Sequence, residues 1–378
     1  MGAWRLSVSM EPRKRILLVT SLLGGGGAER VLLTMAKWWE EQGSDVAILV
    51  LRNDLNVRDY EVPARVVVRR LNLIGERNPW WSPAQVTRLL RLRRAVRESG
   101  PDVVVSFIDK LNVAVLLALS GTGIPVVATE HLAPWMNPLG AFWEGLRRLA
   151  YRRATAIVSP TKRITDWFQA RMGGNFVTLP YPAQIEIRER RERKRRAVVL
   201  GVGRLARQKG FDVLIEAFGR IAARFPGWSV EIAGEGPERG ALTEQIRRAG
   251  LGERVRLLGH VPDIAARLDE AAIFVLPSRH EAFPMVLCEA MAAGCCVVAA
   301  DCPTGPQEIF AMAGEEVGLL VPAQDAGELG NALKGAMADP TRAEKLGEAA
   351  MRYASGLGAE AVMTKWAALM KTLLVATK

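Results

Sequence analysis

Two pairs of charged residues in the second half of the chain have types and positions that could bind a phosphorylated ligand. Glu281 and Glu289 stand eight residues apart in SRHEAFPMVLCEAMAAG, with a Phe-Pro turn between them. Arg204 and Lys209 flank a turn in GVGRLARQKG. A rigid guanidinium fork and a mobile ammonium suit a diphosphate. The glutamate spacing alone also fits a solvated helix, so the surrounding elements must decide its meaning.

The pattern of short apolar strands and helical stretches predicts where these residues lie. The alternation begins at ILLVTSL and restarts after residue 196. It predicts an α/β chain of two doubly wound, Rossmann-like domains that face each other across a cleft. Ligands of such folds bind beyond the carboxyl ends of the strands, where the loops with the charged pairs are expected.

The chain of 378 residues is long for a single core, which favours two domains. We place the first domain at 13–182, a basic linker at 183–196 and the second domain at 197–356. The stretch 357–378 has the i, i+3, i+4 spacing of a helix and is predicted to pack back on the first domain.

The loop of Glu281 is predicted to end at a helix that begins near Met285 and carries Glu289 on its first turns. Free backbone N–H groups at such a start point at an anion. The run that would face the anion is Phe283, Pro284, Met285 and Val286. Glu289 could then hold a ribose through paired hydrogen bonds.

A glycine run, GGGGAER, follows the first predicted strand. Glycines let a backbone approach a ligand closely, and the next helix directs its positive end there. The run lacks the order of a dinucleotide site and the G-K-[ST] ending of a P-loop. A flexible turn and an anion-binding loop both remain open.

The charge is unevenly distributed along the chain. Residues 1–196 hold 32 Lys and Arg against 18 Asp and Glu, whereas residues 197–378 hold 19 against 22. The basic half indicates an anionic partner: a membrane surface, a phosphorylated ligand or nucleic acid. The segments WWSPAQVTRLLRLRRAVRE and FWEGLRRLAYRR combine aromatics with arginines, which suits lipid headgroups, although packed helices with solvated arginines fit equally. No nucleic-acid recognition motif stands out, and we expect no such partner.

The four cysteines contain no C-x-x-C pair, so we predict reduced core cysteines in the cytoplasm and no metal site. No apolar run reaches the ~18 residues that a membrane span requires. The run ILLVTSLL after Arg13 to Arg15 is predicted to be a buried strand, although it could pass for a signal peptide.

Four motifs then occur in a recognisable order: GGGGAER, the TEH that contains His131, GRLARQKG and EAFPMVLCEAMAAG. Together they resemble the retaining nucleotide-sugar glycosyltransferases of family four, which have the two-domain GT-B architecture. The resemblance covers nearly the whole chain. The run DCPTGPQEI is similar to a subgroup that adds hexoses or N-acetylhexosamines to polyprenyl-diphosphate-linked sugars or other cell-surface glycans.

The resemblance implies roles for the residues of the second domain, which would bind the nucleotide-sugar. Arg204 and Lys209 would hold the donor diphosphate, and Glu289 the ribose. Glu281 and the backbone of 283–286 would contact the donor sugar and the phosphates.

In the first domain, which would bind the acceptor, the resemblance implies that His131 contacts the donor sugar near its 6-hydroxyl. The glycines that would close over the diphosphate are Gly25, Gly26 and Gly27. Two positions depart from the family pattern. Many members of the subgroup have Arg-Asn where this chain has His131-Leu132, and glycine is more usual than Ala282.

No D-x-D occurs in the chain, so the usual ligand of a metal-diphosphate complex is missing. We therefore predict metal-independent transfer with no other cofactor, and the resemblance implies retention with a UDP-linked sugar as the donor. The acceptor would attack on the leaving-group face, and the departing phosphate would take its proton. The expected acceptor is a glycan or lipid-linked sugar, met at the cytoplasmic face of the membrane through the basic first domain.

Two other functions remain open at this stage. One is a nucleotide-sugar epimerase of similar fold, which would need an acid/base set and no acceptor. The other is non-enzymatic binding of an anionic polymer by the basic half, which would be sensitive to salt.

Overall fold

The computed structural model describes residues 13–24, 26–52, 62–73, 84–183 and 195–376. These residues divide into two compact units. One unit is formed by 1–182 together with 359–378, and the other by 183–358. Each unit is a parallel β-sheet with helices, so the prediction of two Rossmann-like halves is confirmed.

The first unit is built on seven strands and five helices within its described residues, followed by a C-terminal helix. Its strands are β1 (Arg15–Thr20), β2 (Asp45–Val50), β3 (Val67–Arg70), β4 (Val103–Phe107), β5 (Val126–Thr129), β6 (Ala156–Ser159) and β7 (Phe176–Thr178). Its helices are α1 (Gly27–Glu41), α2 (Ala84–Ser99), α3 (Asp109–Ala118), α4 (Ala141–Tyr151) and α5 (Lys162–Gln169). The sheet order is β3-β2-β1-β4-β5-β6-β7, all parallel.

The described residues of the second unit form six strands and seven α-helices. Its strands are β8 (Arg196–Val202), β9 (Ser229–Ala233), β10 (Val255–Gly259), β11 (Ala271–Leu276), β12 (Cys296–Asp301) and β13 (Leu319–Pro322). Its helices are α6 (Phe211–Ile221), α7 (Arg239–Arg248), α8 (Ile264–Glu270), α9 (Met285–Ala292), α10 (Pro306–Ala311), α11 (Ala326–Ala338) and α12 (Pro340–Ala354). The order is β10-β9-β8-β11-β12-β13, again parallel throughout.

Both sheets reverse their strand order at one point, between β1 and β4 in the first unit and between β8 and β11 in the second. Open α/β sheets bind ligands beyond the carboxyl ends of the strands at such a switch point. The strands there are apolar on both sides because helices cover both faces. In the second unit Val199 and Ile273 enter one hydrophobic core, and their neighbours Leu200 and Phe274 enter the other.

The C-terminal helix α13 (Ala359–Ala376) belongs to the first unit, as the sequence predicted. Trp366 is fully buried, and its indole donates to the carbonyl of Pro180 over 3.1 Å. The indole of Trp38 on α1 donates to Glu360 at the start of α13 over 2.8 Å. Residues 184–194 of the predicted linker lie outside the described residues, and β8 begins at its last residue.

Candidate active site

The loops that follow β8 and β11 are joined at the switch point of the second sheet. Gly210 has a φ of 66°, and a Cβ there would stand 2.0 Å from the carbonyl oxygen of Pro277. The N–H of Arg279 donates to the carbonyl of Gln208 over 2.8 Å, and the Gln208 amide donates to the carbonyl of His280 over 2.9 Å. Only glycine permits so close an approach, so Gly210 lets the two loops touch.

Arg279 fastens this junction, and the sequence motifs did not single it out. Its guanidinium makes a bidentate pair with Asp212, at 2.8 and 2.6 Å, and donates to the carbonyl of Arg207 over 2.7 Å. Burial acts to raise the pKa of Asp212, but the hydrogen bonds and charge of Arg279 outweigh it and the pKa is lowered. The sequence signal that could have indicated Arg279 was its position two residues before Glu281.

Lys209 and Glu281 meet directly at this junction. The Nζ of Lys209 lies 2.6 Å from the Oε1 of Glu281, and the hydroxyl of Ser278 donates to the same oxygen over 2.7 Å. Glu281 is 8% exposed and the Lys209 side chain 21%. The carboxylate therefore orients an ammonium that still reaches solvent.

The loop after β12 packs against the other side of Glu281. The hydroxyl of Thr304 donates to the Glu281 carbonyl. Gly305 has a φ of 91°, and a Cβ there would lie 2.7 Å from the Cδ of Pro284. The motif DCPTGPQEI thus supports the loop of the first glutamate. Ala282 adopts a negative φ, which accommodates alanine at a position where glycine is more usual.

Helix α9 begins at Met285, directly after this loop, with no side-chain cap. The N–H groups of Met285 and Val286 lie in the first turn, where a helix has no internal acceptor for them. These donors and the helix dipole can bind an anion. Glu289 lies half-buried on the next turn of the same helix.

Arg204 follows β8 on a loop held by close glycine packing. A Cβ on Gly234 would stand 1.9 Å from the carbonyl oxygen of Gly203. The next residue, Leu205, is fully buried, and its N–H donates a hydrogen bond to the carbonyl of Glu235. The Arg204 side chain is exposed, and within the described parts of the chain its guanidinium has no hydrogen bond or ion pair. It is available to a ligand.

The glycine run of the first unit follows β1. Gly25 lies outside the described residues; Gly26 precedes α1 with a φ of −90°, and Gly27 opens the helix. Glu29, for which the sequence predicted no role, is 8% exposed. Burial raises the pKa of Glu29, against hydrogen bonds that its carboxylate accepts from the N–H groups of Glu29 and Gly26. A carboxylate of this chain therefore caps the helix end that the resemblance assigns to a diphosphate.

His131 follows β5 and is enclosed by aromatic rings. Its imidazole stacks on Tyr181 at 4.2 Å and on Phe107 at 5.4 Å between ring centroids. Burial lowers the pKa of His131 to about 3, so the ring is neutral. Its Nε2 lies 2.9 Å from the Oγ1 of Thr129, whose one proton is donated to the carbonyl of Ser106 over 2.8 Å. Nε2 must therefore carry the ring proton, which leaves Nδ1 as an acceptor.

Backbone strain accompanies this site. Ile108 has a φ of 73° and a ψ of 142°, in a region that is nearly restricted to glycine. It separates Phe107, which stacks on His131, from Asp109 at the start of α3. A β-branched residue held there indicates that the surroundings fix the end of β4 tightly.

The predicted residues of the donor site all belong to the second unit, where Lys209 and Glu281 are in direct contact. These are Arg204, Lys209, Glu281, Glu289 and the run Phe283, Pro284, Met285 and Val286. His131, Gly26 and Gly27 belong to the first unit, where they follow strands of the other sheet.

No group of three or more His, Cys, Asp or Glu is arranged to hold a metal ion in the described residues. The four cysteines are free and buried, and burial raises the pKa of each thiol. Among the helices of the described residues, none combines the length and apolar character needed to cross a bilayer.

The sequence matches two protein families in succession. Residues 26–182 match the glycosyl transferase 4-like domain, and residues 183–353 match the glycosyl transferases group 1.

Two curated relatives differ in how much of their length this chain spans. An exopolysaccharide phosphotransferase of Streptomyces coelicolor is 31% identical over 289 residues, which are 75% of this chain but 30% of that protein. The amylovoran biosynthesis glycosyltransferase AmsD of Erwinia amylovora is 23% identical over 363 residues, which are 93% of this chain and 98% of that protein.

Among solved structures, the crystal structure of Anabaena HepE in complex with UDP is similar with a TM-score of 0.78. The similarity covers 95% of this chain and 100% of that chain at 19% identity, and it shows the fold.

Proposed function

The chain belongs to the glycosyltransferases of GT-B fold, with a 4-like domain followed by a group 1 domain, and from this premise we propose its reaction. It transfers a hexose or N-acetylhexosamine from a UDP-sugar to a glycan or a polyprenyl-diphosphate-linked sugar in cell-surface polysaccharide or glycoconjugate synthesis. The observation that carries the proposal is the cluster of Lys209, Glu281 and Ser278 beside the uncapped start of α9.

The donor assignment is supported by groups that would bind a diphosphate. Arg204 offers a free guanidinium, Lys209 an oriented ammonium, and Met285 and Val286 two backbone donors. Glu289 would hold the ribose hydroxyls. UDP is the nucleotide in the structure of HepE, which supports uridine here. The relative that acts in amylovoran biosynthesis supports a glycan product.

We assign charge neutralisation in the transition state to the protein itself. As the glycosidic bond breaks, negative charge develops on the leaving diphosphate next to Arg204, Lys209 and the N-terminus of α9. Fixed donors at such a position are typically worth about 3–4 kcal/mol each. The cations of this chain would therefore replace a divalent metal.

Retention follows if the acceptor attacks on the face from which the diphosphate departs. The acceptor hydroxyl would give its proton to the leaving phosphate oxygen. Glu281 acts as an orienting group, since its Oε1 already accepts from Lys209 and Ser278. His131 would accept a hydrogen bond through Nδ1 from a hydroxyl of the transferred sugar, near C6.

The exposed side of α4 supports contact with anionic membrane lipid. Phe142 is 66% exposed and Leu149 48%, beside the exposed arginines Arg148, Arg152 and Arg153. Apolar and cationic groups on one helix suit the headgroup region. The variant Phe142→Ser/Leu149→Ser should lose sedimentation with phosphatidylglycerol vesicles at low salt. Met312→Ser, which removes an exposed apolar residue of the second unit, should not. Equal binding by both variants would refute this contact.

The reaction is tested with a panel of UDP-, GDP- and ADP-sugars, with EDTA, and with or without a membrane lipid extract. The proposal predicts UDP release that requires the acceptor extract and continues in EDTA, with the product anomer matching the donor. Loss of activity in EDTA would refute metal independence. An epimerised sugar without transfer would favour an epimerase, and no turnover of any donor would refute the proposed function.

A further inference from the structure

A buried charged network lies next to His131 and has no part in the reaction proposed above. Glu130 and Arg147 are each 1% exposed, and Tyr151 is fully buried. Burying charged groups is costly unless they are paired and hydrogen-bonded. The arrangement of their partners indicates what this network holds in place.

The groups that bind the Glu130 carboxylate are donors or cations. The hydroxyl of Tyr151 donates to Oε1, and the Nη1 of Arg147 lies 4.0 Å from the same oxygen. The Asn112 side chain lies nearby and acts to lower the pKa of Glu130. Asn112 lies on α3, and the other two lie on α4. The ionised carboxylate is therefore the form that Tyr151 and Arg147 of α4 favour.

Other charged and titratable groups surround the network. Glu144 on α4 is partly exposed and accepts hydrogen bonds from the Nη2 and Nε of Arg147, over 2.5 and 3.2 Å. Asp109 on α3 is a nearby negative charge that disfavours ionisation of Glu130. Tyr181 donates its hydroxyl to the Glu130 carbonyl over 2.6 Å and is the ring that stacks on His131.

The same network fixes the end of β5. The N–H of Glu130 donates to the carbonyl of Val158 over 2.9 Å. The Asn112 amide donates to the carbonyl of Thr129 over 2.9 Å, and the Oγ1 of Thr129 accepts a hydrogen bond from the Nε2–H of His131. Movement of Glu130 would therefore displace the backbone on both sides and the imidazole with it.

We propose that Glu130 is a positioning residue, a role that rests on the proposed function. Its carboxylate ties α4 to the end of β5, where Asn112 of α3 also binds, and so holds His131 where Nδ1 can accept from the sugar. Protonation would add a hydrogen to a group that faces donors, which would loosen this attachment.

The pKa values of Glu130 and His131 are far apart, which makes the proposal testable. Burial raises the pKa of Glu130 to about 7, against the lowering effect of Arg147, whereas the pKa of His131 is about 3. A loss of activity between pH 8 and 6 would thus report Glu130 and not the histidine.

The first experiment measures kcat and KM between pH 5.5 and 9. Wild type should lose kcat on the acid side with a midpoint near pH 7. Glu130→Gln should have a flat profile there, with kcat at pH 8 about tenfold lower and KM within about twofold. Glu144→Gln, which also contacts Arg147 but does not reach β5, should keep the midpoint. An acid limb that persists in Glu130→Gln would overturn the proposal.

If Glu130→Gln does not fold, Tyr151→Phe provides the same test. Removing one donor destabilises the ionised carboxylate, so the acid midpoint should move to higher pH. An unchanged midpoint would overturn the proposal.

A readout without turnover separates this proposal from the proposed function. Amide hydrogen exchange of a peptide covering 129–136, measured at pH 8 where the Glu130 carboxylate is ionised, should show less protection in Glu130→Gln than in wild type. Equal behaviour of the two proteins would reject the positioning role, whether or not any donor is turned over.

Discussion

The ammonium of Lys209 and the carboxylate of Glu281 lie 2.6 Å apart although 72 positions separate them in the chain. They follow β8 and β11, the two strands between which the second sheet reverses its order. The pair therefore stands where a doubly wound sheet binds its ligand, and it orients a cation that remains partly open to solvent.

The buried setting of this pair should make it energetically coupled. A double-mutant cycle with Lys209→Met and Glu281→Gln should give a coupling of about 1–3 kcal/mol in urea unfolding, because removing one partner leaves the other charge poorly solvated. The pair Arg220–Glu216 has the same 2.6 Å distance but both side chains are more than half exposed. Its coupling should stay below about 0.5 kcal/mol. Equal values for the two pairs would contradict this account.

Arg204→Ala should affect catalysis and leave stability unchanged. The side chain is exposed and contacts no described partner, so the unfolding free energy should move by less than about 0.5 kcal/mol. Loss of a donor to the developing diphosphate charge should lower kcat about 10²–10³-fold with a much smaller change in donor affinity. Arg220→Ala, an exposed arginine on α6, serves as the charge control. Unchanged turnover of Arg204→Ala would remove Arg204 from the mechanism.

Gly210→Ala should separate the two loops of the donor site. The new methyl group would lie 2.0 Å from the Pro277 carbonyl oxygen, so we expect a loss of about 3 kcal/mol or more in unfolding free energy. Gly250 has nearly the same φ, 67°, but nothing within 4 Å of its Cβ position. Gly250→Ala should lower the unfolding free energy by only about 1 kcal/mol, which is the cost of a positive φ for alanine. Similar losses for the two variants would show that steric contact with Pro277 is unimportant.

His131 should make the protein less stable in acid. Its pKa is lowered from 6.5 to about 3 by burial, so below pH 6.5 the unfolded chain takes up a proton that the folded chain does not. The stability from this residue is present above pH 6.5 and is lost as the pH falls toward 3, by up to about 1.4 kcal/mol per pH unit.

The measurement is the difference in unfolding free energy between wild type and His131→Gln at pH 4.5 to 7. Glutamine can still donate to Thr129 but does not titrate. Glu130 has the opposite dependence, since its raised pKa favours the folded state at lower pH, but it is present in both proteins and cancels. A difference that does not change with pH would contradict the neutral, half-buried ring.

The sequence by itself determined the architecture and indicated the residues that we propose for the donor site. Apolar runs such as ILLVT and VVVSF are buried on both faces because helices flank the sheet. A continuous apolar run, without alternating polar residues, is the sequence pattern of such a strand. The glycine and proline positions around Glu281 marked the loop and the start of α9. Short strands such as β3, β6 and β7, of three or four residues, carried too little periodicity to be recognised.

Only the tertiary structure decided which side chains touch. Arg279, Ser278 and Thr304 support Glu281 through contacts between loops that follow different strands, and no local pattern encodes such pairings. The sequence shows a glycine at position 210 but not why a glycine is required there. The reason is the close approach of the Pro277 carbonyl, which belongs to another loop.

The protonation states of the first unit were likewise decided by packing. TEH specifies a glutamate and a histidine, whose ordinary pKa values are about 4.3 and about 6.5. Desolvation between Tyr181 and Phe107 keeps the imidazole neutral, while burial raises the pKa of Glu130 to about 7 against the lowering effect of Arg147. Desolvation and charge pairing depend on what surrounds a residue in space, and the sequence alone does not contain that arrangement.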